Sequence, residues 1–341
     1  MFLYKHLIMR KIFFLIVLSF TVFSYTSAYS LEKVRTYSIP FYTGFSVYVA
    51  DQMGFFEKNG IETEPKWFPS GAPIVQAAAA KQWDMTFLGA PPAVLGGPKL
   101  NLKTVGMVVE EAAIHELIGR KDFVNKVKKD KSALKGAKIF VTTLSTGHFM
   151  TEECLQMMGV NQDEVKLITS EQSATVSAFA AGEGDLAQVW PPQTSALKSR
   201  GGEVLCSGDR ANLSIPSVWV AHPDFAKKHP DLVVKWLKAN VEAVEWMKKD
   251  PQKTYEMYKK YDVMRGFDTP DAAIRDEAKL AAGALLASDQ VNMMKSKGGG
   301  KSDLVKSYEE IAKFYVRNGR LKSVPDYSGL VVPSYMEKVA K

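Results

Sequence analysis

The stretch V-Q-A-A-A-A-K-Q-W-D-M-T-F-L-G-A-P (residues 75–91) returns 101 positions later as V-S-A-F-A-A-G-E-G-D-L-A-Q-V-W-P-P (residues 176–192). The copies align without a gap, and both contain an alanine-rich segment, then an aspartate (Asp84 or Asp185), then an apolar run. This order is typical of a helix followed by a strand. Solenoid repeats have shorter periods, so the spacing favours two similar α/β lobes. Small ligands usually bind in the cleft between two such lobes.

The rest of the chain supports this organisation. Its 341 residues suit two domains better than one core. Apolar strand-like and helical segments alternate up to about residue 221, which predicts an α/β fold with parallel sheets. Helical periodicity prevails from Asp224 onward and is broken at Asp250-Pro251. We assign residues 31–118 and 219–341 to lobe 1 and residues 119–218 to lobe 2, joined by two crossovers.

The first residues have the features of an export signal. Met9-Arg10-Lys11 precedes the apolar run Ile12 to Phe23 and the small residues Thr26-Ser27-Ala28. This pattern predicts a signal peptide over residues 1–28 and a periplasmic protein. The apolar run is shorter than the roughly 20 residues that span a membrane. Removal of the signal lowers the formal net charge from +7 to +4.

The remaining chemistry argues against several classes of protein. The lysines are scattered over helix faces, so we expect no nucleic-acid partner. The histidines show no metal-ligand spacing, and phosphate-binding and nucleophile motifs are missing from the sequence. Glu110 and Glu111 are adjacent in a strand and point to opposite faces, which makes them a poor acid/base pair. We therefore predict no catalytic residue, cofactor or metal ion. We expect Cys154 and Cys206 to be two buried thiols, with a disulfide as the alternative.

Small and hydroxyl-bearing residues occupy four strand-to-helix junctions. Ligands of open parallel sheets bind beyond the carboxyl ends of the strands, where helix N-termini offer free N–H groups and a partial positive charge. Simple N-capping explains each junction alone, but four together favour an anion site. The junctions are Tyr42-Thr43-Gly44, Ser70-Gly71-Ala72, Gly89-Ala90-Pro91 and Ser145-Thr146-Gly147.

Three further side chains are candidates for the same cleft. Trp190 aligns with Gly89 of the other repeat copy, and a large residue opposite a glycine suggests a ligand between them. Trp219 lies in the predicted strand at the second crossover, and its side chain either packs in the core or faces the cleft. His148 could donate a hydrogen bond to an anion, or support the structure near a helix cap.

Several motifs together resemble the substrate-binding proteins of ABC importers for taurine, aliphatic sulfonates and nitrate. The resemblance covers nearly all of residues 33–335. It is carried by Phe68-Pro69-Ser70-Gly71-Ala72, Phe87-Leu88-Gly89-Ala90-Pro91-Pro92, Ser145-Thr146-Gly147-His148-Phe149, Val189-Trp190-Pro191-Pro192 and Val218-Trp219-Val220-Ala221-His222-Pro223-Asp224-Phe225.

The resemblance implies a two-lobed periplasmic binding protein fold of type II with two hinge crossovers. It also implies a monomeric, non-catalytic receptor that delivers a small organic anion to a membrane permease. Taurine-binding members carry an aspartate where this chain has Ser217. Either Glu110 or Glu111 takes over that role, or the ligand lacks an amine. A nitrate or pyrimidine binder, a biosynthetic enzyme of the same fold and a sensor remain as alternatives.

Overall fold

The structure is a computed structural model that describes residues 30–296 and 298–341. The predicted signal peptide, residues 1–28, lies outside the described residues. The strands are β1 (Glu32–Lys33), β2 (Thr36–Ser38), β3 (Ile61–Glu62), β4 (Lys66–Trp67), β5 (Met85–Gly89), β6 (Lys103–Glu110), β7 (Glu116–Arg120), β8 (Lys138–Val141), β9 (Lys166–Thr169), β10 (Leu186–Val189), β11 (Gly202–Ser207) and β12 (Pro216–Ala221).

The helices alternate with these strands and then dominate the C-terminal part. They are α1 (Phe45–Gln52), α2 (Phe55–Lys58), α3 (Gly71–Ala79), α4 (Ala90–Leu100), α5 (Lys121–Lys129), α6 (Thr146–Met157), α7 (Gln172–Ala180), α8 (Gln193–Lys198), α9 (Pro223–Lys228), α10 (Pro230–Lys249), α11 (Pro251–Met264), α12 (Asp271–Ala282), α13 (Ala287–Met294), α14 (Asp303–Arg317) and α15 (Ser334–Val339).

Two five-stranded sheets have the same internal arrangement. The first has the order β4-β2-β5-β12-β6 and the second β9-β8-β10-β7-β11. In each sheet the first three strands are parallel, and the remaining two are joined by antiparallel pairing. Strands β5 and β12 are buried along their whole length, because helices cover both faces of the sheet. The fold is therefore the two-lobed, type II periplasmic binding protein architecture.

The sequence repeat occupies equivalent places in the two lobes. Its first copy forms α3 and β5, its second forms α7 and β10, and both strands lie at the centre of their sheets. Asp84 accepts a hydrogen bond from the Arg35 N–H (2.8 Å) and donates its own N–H to the Arg35 carbonyl (2.9 Å). Asp185 makes the same reciprocal pair with Lys138 at 2.8 Å and 2.8 Å. Each aspartate thus fastens the start of its central strand to the neighbouring parallel strand.

Removal of the Asp84 or Asp185 side chain should destabilise the protein, and the two effects should differ in size. Asp84 is buried and also pairs with the Arg35 guanidinium (2.6 Å), whereas the Asp185 bond is exposed. We expect Asp84→Ala to lower the free energy of unfolding by about 2 kcal/mol and Asp185→Ala by about 1 kcal/mol, measured by urea unfolding. Asp163→Ala, at an exposed position, is the matched control. Equal effects at all three positions would contradict a role in strand pairing.

The chain passes between the sheets twice. It leaves the first sheet after β6 and enters the second at β7, through residues 111–115; it returns between β11 and β12, through residues 208–215. The predicted boundaries near residues 118 and 219 would cut through β7 and β12, although each pairs along its length within a single sheet. We therefore propose that residues 111–115 and 208–215 are the two hinge crossovers.

The C-terminal helices pack mainly on lobe 1. Helix α10 places Trp236 in the core, where its indole N–H donates to the Thr36 hydroxyl (2.9 Å). Helix α14 packs on α4, and its end also reaches lobe 2. There Asn318 donates a hydrogen bond to the Glu152 carboxylate (2.6 Å) and Tyr315 to the Leu144 carbonyl (3.3 Å). Contacts outside the crossovers thus also connect the lobes.

Cys154 and Cys206 form a disulfide, so the expectation of two free thiols is wrong. Cys154 lies in α6 and Cys206 in β11, and both are fully buried. Helix α6 packs against the sheet beside β11, which brings the two side chains together across 52 positions of sequence. The bond ties α6 to the strand that leads into the second crossover.

Candidate functional site

A small cavity lies between the lobes at the carboxyl ends of the central strands, where open α/β sheets bind ligands. Its volume is about 30 Å³. Since one water molecule needs roughly 10–15 Å³, the cavity has room for about two. It is lined by Ile39, Phe41, Ser70, Gly71, Phe87, Gly89, Pro92, Glu111, His115, Ser145, Thr146 and Trp190.

The structure brings together several of the residues that the sequence singles out. Lobe 1 contributes Ser70 and Gly89, the residues that precede α3 and α4; lobe 2 contributes Ser145 and Thr146, at the start of α6, together with Trp190. Glu111 reaches the cavity from the first crossover. The lobes are in close contact here, because a Cβ atom on Gly89 would lie 2.3 Å from the Thr146 hydroxyl oxygen.

Three helix N-termini point their first turns toward this cavity. The first N–H groups of a helix lack intrahelical partners and carry a partial positive charge. Pro73, Pro91 and Pro92 have no N–H, so α3 and α4 offer fewer donors than their geometry alone suggests. In α6, the Ser145 hydroxyl accepts from the His148 N–H (3.2 Å), which leaves the N–H groups of Thr146 and Gly147 in the first turn. The donors available to an anion are therefore few and come from both lobes.

Glu111 is the ionisable group at the centre of the site. The residue is only 2% exposed, and one carboxylate oxygen faces the Thr146 hydroxyl (3.5 Å) and His115 Nε2 (3.4 Å). The other oxygen, Oε2, has no hydrogen-bond partner among the described residues, and neither does His115 Nδ1. Within the described part of the chain, the lining contains no lysine or arginine. A buried carboxylate with an open acceptor position is costly unless a ligand supplies a donor.

An aromatic wall closes one side of the cavity. The Trp190 ring lies 6.3 Å from the Phe41 ring and 5.7 Å from the His115 ring, both in edge-on contact. At the rim, the Ser70 hydroxyl lies close to Glu171 of the other lobe. Burial raises the pKa of the Glu171 carboxyl, and the Ser70 hydroxyl lowers it by a smaller amount. Apolar faces and polar edges therefore meet around the same small volume.

Three candidate residues near the site do not line the cavity themselves. Tyr42 and Thr43 are buried in a 3-10 turn after β2. Burial, with the Glu111 carboxylate as the next cause, raises the pKa of Tyr42 well above its usual value. The Thr43 hydroxyl has no partner among the described residues. Ala90 is the first residue of α4 and offers only its backbone N–H.

The other three candidates lie in structural positions. His148 packs edge-on against Phe314 of α14, and burial lowers the pKa of its imidazole to about 4, so the ring is neutral at pH 7. Ser217 donates its hydroxyl hydrogen to the Val109 carbonyl (3.2 Å) within the first sheet. Trp219 packs against Trp236, with ring centres 5.0 Å apart. Ser217 and Trp219 are both part of the core, because β12 is an interior strand that is covered on both faces.

Sequence reasoning missed several lining residues. Phe41 directly follows the first predicted strand, so the rule that found the other junctions could also have found it. His115 lies in the first crossover, and no local pattern marks it. It reaches the cavity because a 3-10 turn at Ala112–Ile114 lets it face Glu111, four residues earlier. Ile39, Phe87 and Pro92 read as ordinary apolar residues.

The described part of the chain contains neither a membrane-spanning helix nor a cluster of metal-binding side chains. Across residues 30–296 and 298–341, no helix combines the length and hydrophobicity needed to cross a membrane. The same part of the chain contains no cluster of three or more histidine, cysteine, aspartate or glutamate side chains that could hold a metal ion.

Comparison with known proteins identifies the family. The profile described as "NMT1/THI5 like" matches residues 43–254. The "Putative aliphatic sulfonates-binding protein" of Bacillus subtilis (strain 168) is 26% identical over 286 residues, which cover 83% of this chain and 80% of that protein. The taurine-binding periplasmic protein of Escherichia coli (strain K12) is 27% identical over 191 residues, or 55% of this chain and 58% of that protein.

A solved structure supports the same conclusion for the fold. The alkanesulfonate-binding protein SsuA from Xanthomonas axonopodis pv. citri, bound to MOPS, superposes with a TM-score of 0.72 at 17% identity. The match covers 88% of this chain and 98% of that one. The resemblance drawn from the motifs is confirmed, and the chain belongs to the NMT1/THI5-like family.

Proposed function

We propose that this protein is the exported, solute-binding component of an ABC importer. It captures a small organic anion, taurine or another sulfonate, between its lobes and presents it to a membrane permease. It acts as a monomer and catalyses no reaction. The observation that carries the proposal is the inter-lobe cavity, around which helix N-termini from both lobes and a buried carboxylate lie close together. The names of the relatives support the same class of ligand.

The sulfonate end of the ligand fits the helix N-termini. Its oxygens would accept from the backbone N–H groups at the starts of α3, α4 and α6. Contacts to both lobes make the closed form the preferred binding state, so the ligand shifts the equilibrium toward closure. The permease can then distinguish loaded from empty receptor by shape.

Glu111 fits the amine end of a taurine-like ligand. Its Oε2 is buried without a partner among the described residues, and an ammonium group would supply the missing donor and charge. Glu110 is already engaged: its carboxylate accepts from the Ser214 hydroxyl (3.0 Å) and from the Ile215 N–H of the second crossover. Taurine-binding members carry an aspartate at the position of Ser217. Of the two adjacent acids, Glu111 is therefore the one that takes over the role of that aspartate.

The cavity volume also favours a second candidate. A space of about 30 Å³ is closer in size to a compact anion such as nitrate than to taurine, which needs a wider gap between the lobes. The open acceptor on Glu111 argues against a bare anion, since two negative groups would then share one buried site. These opposing observations make nitrate the second candidate.

Calorimetric titration and thermal unfolding of the purified protein separate these possibilities. At a hundredfold excess over its dissociation constant, a true ligand should stabilise the protein by about 2.7 kcal/mol and raise its melting temperature by roughly 4 °C. We expect this result with taurine, a smaller effect with ethanesulfonate and none with pyrimidines. Small-angle scattering should show a smaller radius of gyration with taurine. A response to nitrate alone would favour the second candidate, and an unchanged radius at saturation would count against closure.

A further inference from the structure

The two lobes differ at two pairs of positions that the repeat spacing brings into alignment. Helices α3 and α7 begin at Gly71 and Gln172, which align at the repeat spacing of 101. The strands that follow end with Gly89 in one lobe and continue to Trp190 in the other, again 101 positions apart. Lobe 1 therefore carries two glycines where lobe 2 carries a glutamine and a tryptophan.

In lobe 1 the glycines make the backbone itself the wall of the cavity. A Cβ atom on Gly71 would lie 2.7 Å from Pro92, and one on Gly89 would lie 2.3 Å from the Thr146 hydroxyl. Separations below about 3 Å do not occur between real Cβ atoms and their neighbours. A side chain at Gly89 would have to displace Thr146 of lobe 2, and one at Gly71 would have to displace Pro92 of lobe 1.

In lobe 2 the equivalent space is filled and fixed by one amide. Gln172 Oε1 accepts from the Trp190 backbone N–H (3.1 Å). Its Nε2 donates to the Thr142 hydroxyl (3.1 Å) and to the Gln188 carbonyl (3.3 Å). The side chain thus joins the start of α7 to the ends of β8 and β10. Gln172 is 6% exposed, so these bonds have little competition from water.

We propose that Gln172 is a positioning residue for ligand selection: it holds Trp190 across the cavity and so limits the length of the ligand. The inference rests on the proposed function and specifies the size class of the ligand. The Trp190 ring is 8% exposed and leans on Phe41 and His115, opposite the open backbone of lobe 1. A ligand that binds the glycine side can extend only as far as this ring.

The first test needs no ligand. The chain has six tryptophans, so the emission of Trp190 is taken as the difference between each protein and its Trp190→Phe counterpart. In Gln172→Ala, we expect this emission to shift to longer wavelength and to become more sensitive to acrylamide. Gln172→Glu keeps the acceptor for the Trp190 N–H but loses both donors, to the Thr142 hydroxyl and to the Gln188 carbonyl, so it should restore only part of the signal. An unchanged Trp190 signal in Gln172→Ala would overturn the proposal.

A matched control accounts for the loss of stability that follows when any buried glutamine is removed. Gln290 is 2% exposed in lobe 1; it accepts from the Met107 N–H (3.1 Å) and donates to the Leu285 carbonyl (2.9 Å). Gln290→Ala should cost comparable stability without altering Trp190 emission. If it shifts the emission equally, the role of Gln172 is merely structural.

The second test measures selectivity with taurine and hexanesulfonate. Loss of one buried hydrogen bond is worth about a factor of ten. We expect Gln172→Ala to bind taurine about tenfold more weakly and hexanesulfonate no more weakly, whereas Gln290→Ala keeps the wild-type ratio. An unchanged ratio in Gln172→Ala contradicts the length limit. If the wild-type protein binds neither compound, the proposed function fails, and the Trp190 signal still decides whether Gln172 positions the ring.

Discussion

Replacement of Glu111 by glutamine should weaken the binding of taurine about 100-fold, because it removes the charge that faces the ammonium group. Glutamine has nearly the same volume as glutamate, so the new side chain occupies the same place in the cavity and keeps the contacts with Thr146 and His115. Isothermal titration of the wild-type and variant proteins measures the change. Since Oε2 of Glu111 has no other partner among the described residues, the effect should fall on the ligand and little on folding.

Ethanesulfonate provides the internal control for this prediction. It has the sulfonate of taurine without the amine, so Glu111→Gln should leave its affinity within about threefold or improve it, because a buried negative charge has been removed. A parallel loss for both compounds would mean that Glu111 supports the architecture of the site. No loss for either compound would exclude Glu111 from ligand recognition.

Removal of the disulfide should produce the largest loss of stability. For a bond that closes 52 positions of chain, the entropy of the unfolded state predicts about 4 kcal/mol. For a protein of this size that corresponds to a fall in melting temperature of roughly 6 °C. The double replacement Cys154→Ser with Cys206→Ser tests this in thermal or urea unfolding.

Chemical reduction is the matched control for the double variant. A reducing agent should lower the melting temperature of the wild-type protein by about the same amount and leave the variant unchanged. Taurine affinity should change little, because neither cysteine lines the cavity. If the variant and the wild-type protein unfold together, the bond contributes nothing to folding.

The repeat made much of the fold predictable. Asp84 and Asp185 stand at matching points because each must fasten a central strand to its parallel neighbour, a local requirement that leaves a local pattern. The disulfide left no such pattern, since the contact between α6 and β11 depends on how the whole second sheet assembles.

The lining of the candidate site was predictable where it depends on strand-to-helix junctions. Ser70, Gly89 and Ser145 follow that rule, because the carboxyl ends of parallel strands meet at one edge. The junction rule did not identify His115, because a crossover residue reaches the cavity only through tertiary geometry. Trp219 shows the opposite limit: an aromatic residue in a strand looks the same in sequence whether it faces a cleft or an interior sheet.

The placement of β12 has a consequence for how the polypeptide matures. This strand lies between β5 and β6, so the first sheet cannot be completed until residues 216–221 have emerged. The second sheet draws on one uninterrupted stretch, residues 116–207. Because contacts between distant segments form slowly, the middle of the chain should acquire its native contacts first and the two flanking segments should then assemble beside it.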